Sequence, residues 1–560
     1  MFDTRERNLT VILMAALCFS GGTVALAAPP PVNSRDDAGL EMRRQREEAE
    51  RERLRQQMEE DRKKQDEKVQ GNTDAPASAG EAEVKFVLNQ VTLDESSVIQ
   101  SDRFREITEP YLGKEVSLSD LLVIVEKING LYAAEGYTTC KAYLPQQTIE
   151  NGHVHIALIE GRTGEVTLSG NKHTKESYIR NRLPLRSGTV QNFNELNKKL
   201  FRFNATNDAR LGITVKAGKV PGTTDYEIVL QEPKNDVFTL SVDNSGGSNN
   251  GEWREGFYYT NRSLSGRRDS LSASYTRAKG LNSVGFNYAT PVGRQGAKLL
   301  FDYSTSTNEL IESSMRQLKS NGHGWYLGAA YLQPLILNQT TRTEAKIGIY
   351  RQNSQTDMQD GAIPWLDSQA NNLYLSFAMT SYGKTSAFYH QHYYGIGHSR
   401  AFQANDGTYA TNDYSLYRLN SLYQKGWQNG HMFTGRLNLQ WSGVDGLPSA
   451  EQFFLGGMNS VRGYKRDIVS GDNGLNFSAE YSIPLNRKRT LSAYGFFDYG
   501  TILGETTYDD HVLESVGLGL RANIKQMVYM DLSIGFPLEK DLNGSQVSKT
   551  RVHFGMNAQF

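Results

Sequence analysis

The sequence predicts a transmembrane β-barrel of sixteen antiparallel strands, preceded by an N-terminal helix, a linker and two small β-α-α-β-β units. Three observations carry that reading. First, from Lys234 to Phe560 apolar residues recur with period two, as in Val552, Phe554, Met556, Ala558 and Phe560, with polar residues or glycine between them. Second, long polar connections alternate with tight turns along this region. Third, hydrophobic content is only 38% and no apolar run of eighteen residues follows the N-terminus, yet Gly (52), Tyr (29) and Phe (23) are abundant. A helical membrane protein is thereby excluded, whereas a barrel with a polar lumen is allowed. The formal net charge of −1 excludes bulk electrostatic attraction to nucleic acid.

Residues 1–28 read as a secretory signal peptide. Arg5 and Arg7 precede an apolar run from Leu9 to Phe19, and Ala25-Leu26-Ala27 offers small residues for cleavage. Cys18 lies within that segment, so Cys140 is expected alone, without an intramolecular disulfide. Residues 29–70 form the next segment. Its 35–68 stretch is rich in Glu and Arg with i,i+4 pairs such as Glu47 and Arg51, and apolar positions are few (Leu40, Met42, Leu54, Met58). It is either a solvated helix or a polar helix occupying a water-filled cavity. Residues 71–82, small and polar, are expected to be a flexible linker.

Two units follow, 83–160 and 161–233. The first is expected to have strands near Phe86–Leu93, Thr138–Leu144 and Val154–Ile159, with helices near Asp102–Leu112 and Leu118–Glu135. The second repeats the order, with strands near Glu165–Leu168, Leu211–Lys216 and Tyr226–Leu230, and helices near Lys175–Leu183 and Asn194–Asn204. Small three-stranded sheets leave edges open to strand addition. A surface for an unfolded partner is expected at Leu121, Leu122, Val125 and Ile128 on the helix and Tyr137, Tyr143 and Leu144 on or beside the following strand.

In the barrel region, 234–560, strands are expected to begin near 236, 252, 269, 282, 296, 323, 342, 371, 384, 414, 430, 474, 489, 513, 527 and 550. Long polar loops are expected at 306–322, 353–370, 395–413, 443–473 and 537–549. Tight turns are expected at Thr290–Gln295, Ser381–Gly383, Lys425–Asn429 and Pro484–Lys488. That asymmetry is the pattern of an outer-membrane barrel, and an even strand count places both barrel ends on the short-turn, periplasmic side. Loop 443–473, long and glycine-rich, is expected to leave the strand ladder. Asp498 is in step with Phe496 and Gly500 and opposite Phe497 and Tyr499, and its face is assigned to the lumen.

Other motifs point to no catalysis. Gly383-Lys384-Thr385 lacks the upstream glycine of a phosphate loop, since position 378 is Ala. His153/His155 and His390/His392 each put two histidines on one strand face, but a third metal ligand is not evident. No nucleophile elbow is present. The chain is expected to be no enzyme, with no cofactor and no bound metal.

Val461-Arg462-Gly463-Tyr464 resembles the signature of the Omp85 superfamily, and its setting FLGGMNSVRGY is similar to the two-partner-secretion branch. Phe496-Phe497-Asp498-Tyr499-Gly500 is similar to the Phe-x-Asp-x-Gly motif, and GYTTCKAYLPQQ (136–147) resembles a segment of that family's POTRA domains. Tyr464 stands where many members have Phe. The resemblance implies a haemolysin-activator, or TpsB, transporter: an outer-membrane translocase with periplasmic POTRA domains that secretes one large β-helical exoprotein carrying an N-terminal secretion domain. It implies that the N-terminal helix plugs the pore and that Val461, Arg462, Gly463 and Tyr464 form the tip of an inward-folded loop. There Arg462 would meet Asp498 on the wall, flanked by Phe496 and Gly500. Expected partners are that exoprotein, outer-membrane lipid and periplasmic chaperones, with no nucleic acid, and the protein is expected to be a monomer. The competing readings are a barrel-assembly factor of the same superfamily and a passive porin or receptor channel.

Overall fold

The computed structural model describes residues 38–65, 85–311, 319–358, 361, 363–403, 407–504, 512–525, 527–539, 541–542 and 545–560. The expected signal peptide and the linker 71–82 lie outside the described residues.

Sixteen antiparallel strands close into one barrel. Closure pairs the first, Asp236–Asp243, with the last, Arg551–Gln559, in the register Gly555 to Asp243 through Gln559 to Thr239. The alternation in sequence becomes two faces. Phe286, Leu327, Ile349, Leu375 and Leu518 are exposed on the outside, whereas Ser283, Gln352, Asn372, Gln440 and Glu480 are buried inside. This inverts the soluble pattern, as a lipid-facing wall requires.

All but two strands begin within two residues of the expected positions. The exceptions begin earlier, at Ile363 and Thr408. They expose a larger correction, because most of the expected loops 353–370 and 395–413 is strand, and strand also takes the two ends of 306–322. The run from Asn321–Leu337 through Thr341–Met358, Ile363–Tyr382 and Ser386–Gln403 to Thr408–Gly426 has strands of 17 to 20 residues. A bilayer crossing needs only about 9–11. Beyond the hydrocarbon the ladder still satisfies its backbone groups, but the outward face no longer has to be apolar, so the sequence reads as loop. The tight turns do fall on one side, for example between Val292 and Ala297 and between Tyr382 and Ser386.

Each preceding unit is a three-stranded sheet under two helices. The first orders Gln90–Leu93, His153–Glu160 and Cys140–Tyr143, and the second orders Arg162–Ser169, Thr223–Gln231 and Arg210–Ala217. In both, the first pair is parallel and the second antiparallel. Ser117 and Asp120 close a reciprocal cap on the helix Leu118–Ala134. The expected strand 86–93 is broken: Phe86–Val87 pairs with Glu115–Val116, and Leu88 turns into the core.

The second unit is seated on the short-turn rim of the barrel. Asp208 takes a two-point contact from Arg268, whose Nε lies 2.9 Å away, and Arg262 approaches the same carboxylate at 3.5 Å. Arg342 donates to the Ala205 carbonyl at 2.7 Å and Lys175 N–H to the Gly266 carbonyl at 2.8 Å.

Candidate functional site

The lumen holds two things, an inward-folded loop and a helix. The loop between Met432–Ser442 and Asn473–Pro484 contains a short helical turn, Ser449–Glu451, and a small hairpin of Phe453–Leu455 with Val469–Gly471. Its own apolar residues Leu455, Val461, Tyr464 and Val469 pack on Ile502 and Leu513 of the wall. Glu451 anchors its first half. That carboxylate is buried and accepts from Arg418 at 2.6 Å, Tyr350 at 2.7 Å and Gln352 at 3.0 Å.

At the tip, Arg462 and Asp498 meet as a two-point pair. Arg462 Nε and Nη2 donate to Asp498 Oδ2 and Oδ1, each at 2.8 Å, and the Arg462 backbone N–H adds a bond of 3.0 Å. Asp498 is 0% exposed, so the contact is fully desolvated. Nor does the pair stand alone. Arg462 Nη1 donates to Glu480 at 3.0 Å, Glu480 is also held by Arg521, and Arg521 bonds Asp531 at 2.6 Å. Phe496 lies 3.5 Å beneath the Arg462 guanidinium, and Tyr494 lies 4.0 Å from that of Arg521 while donating to Asp531 at 2.7 Å. His553 Nε2 is 2.7 Å from the Arg462 carbonyl, so the proton is placed on Nε2. Three carboxylates and two guanidiniums thus alternate along one inward row, each charge facing its opposite.

Val461 and Tyr464 are wholly buried, and the Tyr464 hydroxyl donates to the Glu514 carbonyl at 3.0 Å. Gly463 is there because two backbones approach: a Cβ on it would stand 2.7 Å from the Pro537 nitrogen. Gly500 leaves room for loop side chains, since a Cβ there would stand 2.6 Å from a Leu455 methyl and 3.0 Å from one of Val461.

The helix Ala38–Gln65 runs through the lumen beside this loop. With 28 residues it is about 42 Å long. Gly39 N–H meets Ser354 near the far end of a long strand, whereas Asp61 accepts from Tyr382 at a short turn. The helix therefore enters with its N-terminus toward the outer side and its C-terminus at the periplasmic mouth. Met42 packs on Tyr326 and Tyr350, and Met58 on Tyr382 and Tyr389. Leu54 joins the second of these groups, Ala38 and Leu40 are also buried, and Arg46 lies over the Tyr326 ring. The remaining holds are polar ones, among them Arg43 to the Ala450 and Gln452 carbonyls, Gln45 to Ser283, Glu48 to Arg254 and Glu50 to Lys346. Arg466 of the loop donates to Glu41 at 2.7 Å and Arg44 pairs with Asp467.

The expected partner surface on the first unit needs correction. Leu121, Val125 and Ile128 are core residues packed with Cys140 and Ile156, and Tyr137 and Leu144 pack against that core. Helical spacing put them on one face, and that face turns inward. Leu122 and Tyr143 remain exposed. His390 and His392 point outward from the barrel with His390 Nδ1 3.1 Å from His392 Nε2, and His392 Nδ1 lies 2.7 Å from the Tyr417 hydroxyl. His155 is beside Asp94 at 3.3 Å. No cluster of three metal-ligating side chains occurs among the described residues. Cys140 is a buried free thiol, pushed up to about 11 by burial.

Sequence reasoning missed Glu480, Arg521, Asp531 and His553. All have inward parity, but only the register shows that they share one level of the wall.

Residues 222–522 match the family described as haemolysin secretion/activation protein ShlB/FhaC/HecB, and residues 86–161 match the ShlB-type POTRA domain. The heme/hemopexin transporter protein HuxB of Haemophilus influenzae (strain 86-028NP) is 25% identical over 490 residues, which covers 83% of this chain and 86% of that one. The outer membrane transporter CdiB of Dickeya dadantii (strain 3937) is 22% identical over 406 residues, with 70% and 71% covered. The solved structure of CdiB from Escherichia coli has the same fold, with a TM-score of 0.66 at 17% identity, covering 96% of this chain and 100% of that one. A barrel that holds a helix and an inward loop in its lumen, standing on two POTRA units and matched over more than half its length, belongs to the ShlB/FhaC/HecB family of outer-membrane secretion transporters.

Proposed function

We propose that this chain secretes one large β-helical exoprotein, an adhesin, haemolysin or contact-dependent toxin, through its own lumen after the helix Ala38–Gln65 withdraws. The observation that carries the reading is the kind of contact holding that helix. Its contacts with wall and loop are mainly ion pairs and hydrogen bonds around a few apolar side chains, Met42, Leu54 and Met58 among them, and water or a passing polypeptide can replace the polar ones. Direction comes from folding of the passenger outside, which removes extended chain from the transport equilibrium. A domain stability on the order of 5–15 kcal/mol is ample for that bias. Periplasmic chaperones keep the passenger unfolded, and a monomer suffices for the path. The test is co-expression with a candidate large exoprotein that carries an N-terminal β-helical secretion domain: the passenger should reach the medium with this chain and remain periplasmic without it. Passenger export that is independent of this chain refutes the reading.

Capture of the passenger's N-terminal secretion domain falls to the sheet edges, Cys140–Tyr143 in the first unit and Arg210–Ala217 in the second, with Leu122 and Tyr143 as exposed apolar contacts. Leu122→Asp with Tyr143→Asp should weaken passenger binding while the barrel still inserts. Unchanged pull-down of the secretion domain would remove this surface.

A further inference from the structure

Where the second POTRA unit meets the barrel, a cavity of about 250 Å³ has Arg180, Arg186 and Arg294 around a floor of Leu183, Pro184 and Leu185. Arg180 is satisfied by Glu176 at 2.5 Å, four residues before it. Its position in the last turn of the helix Glu176–Arg182 also suits the helix dipole. Neither explanation reaches Arg186 or Arg294. Both are exposed, and neither makes a side-chain hydrogen bond or ion pair among the described residues. The nearby acid Asp208 is already taken by Arg262 and Arg268. Arg182, between Arg180 and Arg186 in the chain, donates to the Gly293 carbonyl at 2.7 Å and so brings the two walls together. Burial, with added repulsion from Arg294, holds Arg182 below the usual guanidinium value. Convergent cations without counter-charges are the complement of an anion.

The position of the cavity says which anion. Arg294 sits on the periplasmic turn between Leu281–Val292 and Ala297–Glu309. Val292 and Leu299, which flank that turn, are exposed on the lipid-facing side of their strands. An apolar wall therefore rises directly from a cationic cavity at the level of the periplasmic leaflet. We propose that this cavity binds the phosphate of an anionic phospholipid of that leaflet, with its acyl chains against Val292 and Leu299. Guanidinium forks suit phosphate oxygens, and basic pockets at a membrane boundary hold such headgroups. The bound lipid would link the second POTRA unit to the membrane as well as to the barrel rim.

The test uses the full chain in detergent micelles, titrated with phosphatidylglycerol and read by native mass spectrometry. Retained lipid should fall about fivefold for each of Arg186→Gln and Arg294→Gln, and further in the double variant. Equal retention by wild type and double variant overturns the proposal. Inorganic phosphate in tenfold excess should leave retention unchanged, and displacement by it would assign the cavity to a soluble anion instead. Undiminished lipid with lost secretion would assign it to an acidic stretch of passenger. A photoreactive phosphatidylglycerol on the unaltered chain gives an independent check. Labelling should fall on peptides spanning 180–186 or 292–299, and labelling only elsewhere on the barrel overturns the assignment.

Discussion

Arg466 of the lumenal loop donates to Glu41 of the lumenal helix at 2.7 Å, and Glu41 is 1% exposed. Arg44 and Arg254 face the same carboxylate, at 3.1 and 3.8 Å. A buried carboxylate shared by three guanidiniums sets the seat of the helix. Removing one partner of a buried pair costs roughly 3–5 kcal/mol, because the survivors keep their charge without its counterpart. Glu41→Gln should therefore raise the fraction of time the pore is open in planar bilayers, and deletion of 38–65 should raise it further. Wild-type conductance in the deletion would show that the helix does not close the channel.

The row of charges around Arg462 makes an unequal prediction. In Asp498→Ala, Arg462 still has Glu480 at 3.0 Å. In Arg462→Ala, Asp498 keeps only Ser478 at 2.7 Å as a side-chain partner, and a buried carboxylate is left without a cation. Arg462→Ala should thus be the more severe, by roughly 3–5 kcal/mol of loop docking, with the double variant no worse than Arg462→Ala. Secretion and protease sensitivity of 456–468 are the readouts, and strictly additive defects would mean the two residues act separately.

Arg462→Lys should recover little. An ammonium cannot bridge Asp498 and Glu480 in the plane that Phe496 supports. Recovery of wild-type secretion by lysine would reduce the contact to simple charge.

Steric variants separate loop from helix. A side chain at Gly500 meets Leu455 and Val461 of the loop, whereas a Cβ at Gly324 would stand 2.9 Å from Met42 and 3.3 Å from Ala38 of the helix, and 2.8 Å from the Asn353 carbonyl of the wall, so insertion of the barrel is checked alongside. Gly500→Val should loosen the loop and impair secretion. Gly324→Leu should displace the helix, increase conductance and leave secretion largely intact. The reverse pattern would contradict the division of roles.

Cys140 gives a pH signature in the first unit. Burial lifts its thiol to about 11, above the ordinary value near 9. The neutral form is favoured in the folded state, so this contribution to stability is complete below pH 9 and is lost as pH rises toward 11. Alkylation at pH 8 should need unfolding of the unit, and rapid labelling of the native chain would place the thiol at the surface.

The strands were legible because a lipid-facing wall imposes period two, and the turns because tight reversals concentrate Gly, Asn and Lys. The upper halves of Thr341–Met358 through Thr408–Gly426 were not, since a strand in water carries no such mark. Arg462 and Asp498 were legible through short motifs. Their neighbours Glu480, Arg521 and Asp531 were not, because an inward charge looks the same whether it faces water or another charge. Depth along the wall depends on strand register, which Ser478 opposite Asp498 and Arg521 opposite Asp531 reveal only in the folded ladder. On the first unit, Leu121 and Leu122 are adjacent in sequence and opposite in fate, and periodicity alone gave no way to tell core from surface.

The direction of the lumenal helix has a consequence for how the barrel is first assembled. Gly39 lies toward the outside and Asp61 at the periplasmic mouth, so the chain reads inward from the far end. In a protein delivered from the periplasm, that segment has to be carried outward, N-terminus leading, before the pore is shut. The resting molecule is thus already threaded by a length of polypeptide, its own, lying along the route a passenger would follow. Each round of export would then be an exchange of one strand of protein for another in the same needle's eye, and resealing would repeat the first act of assembly.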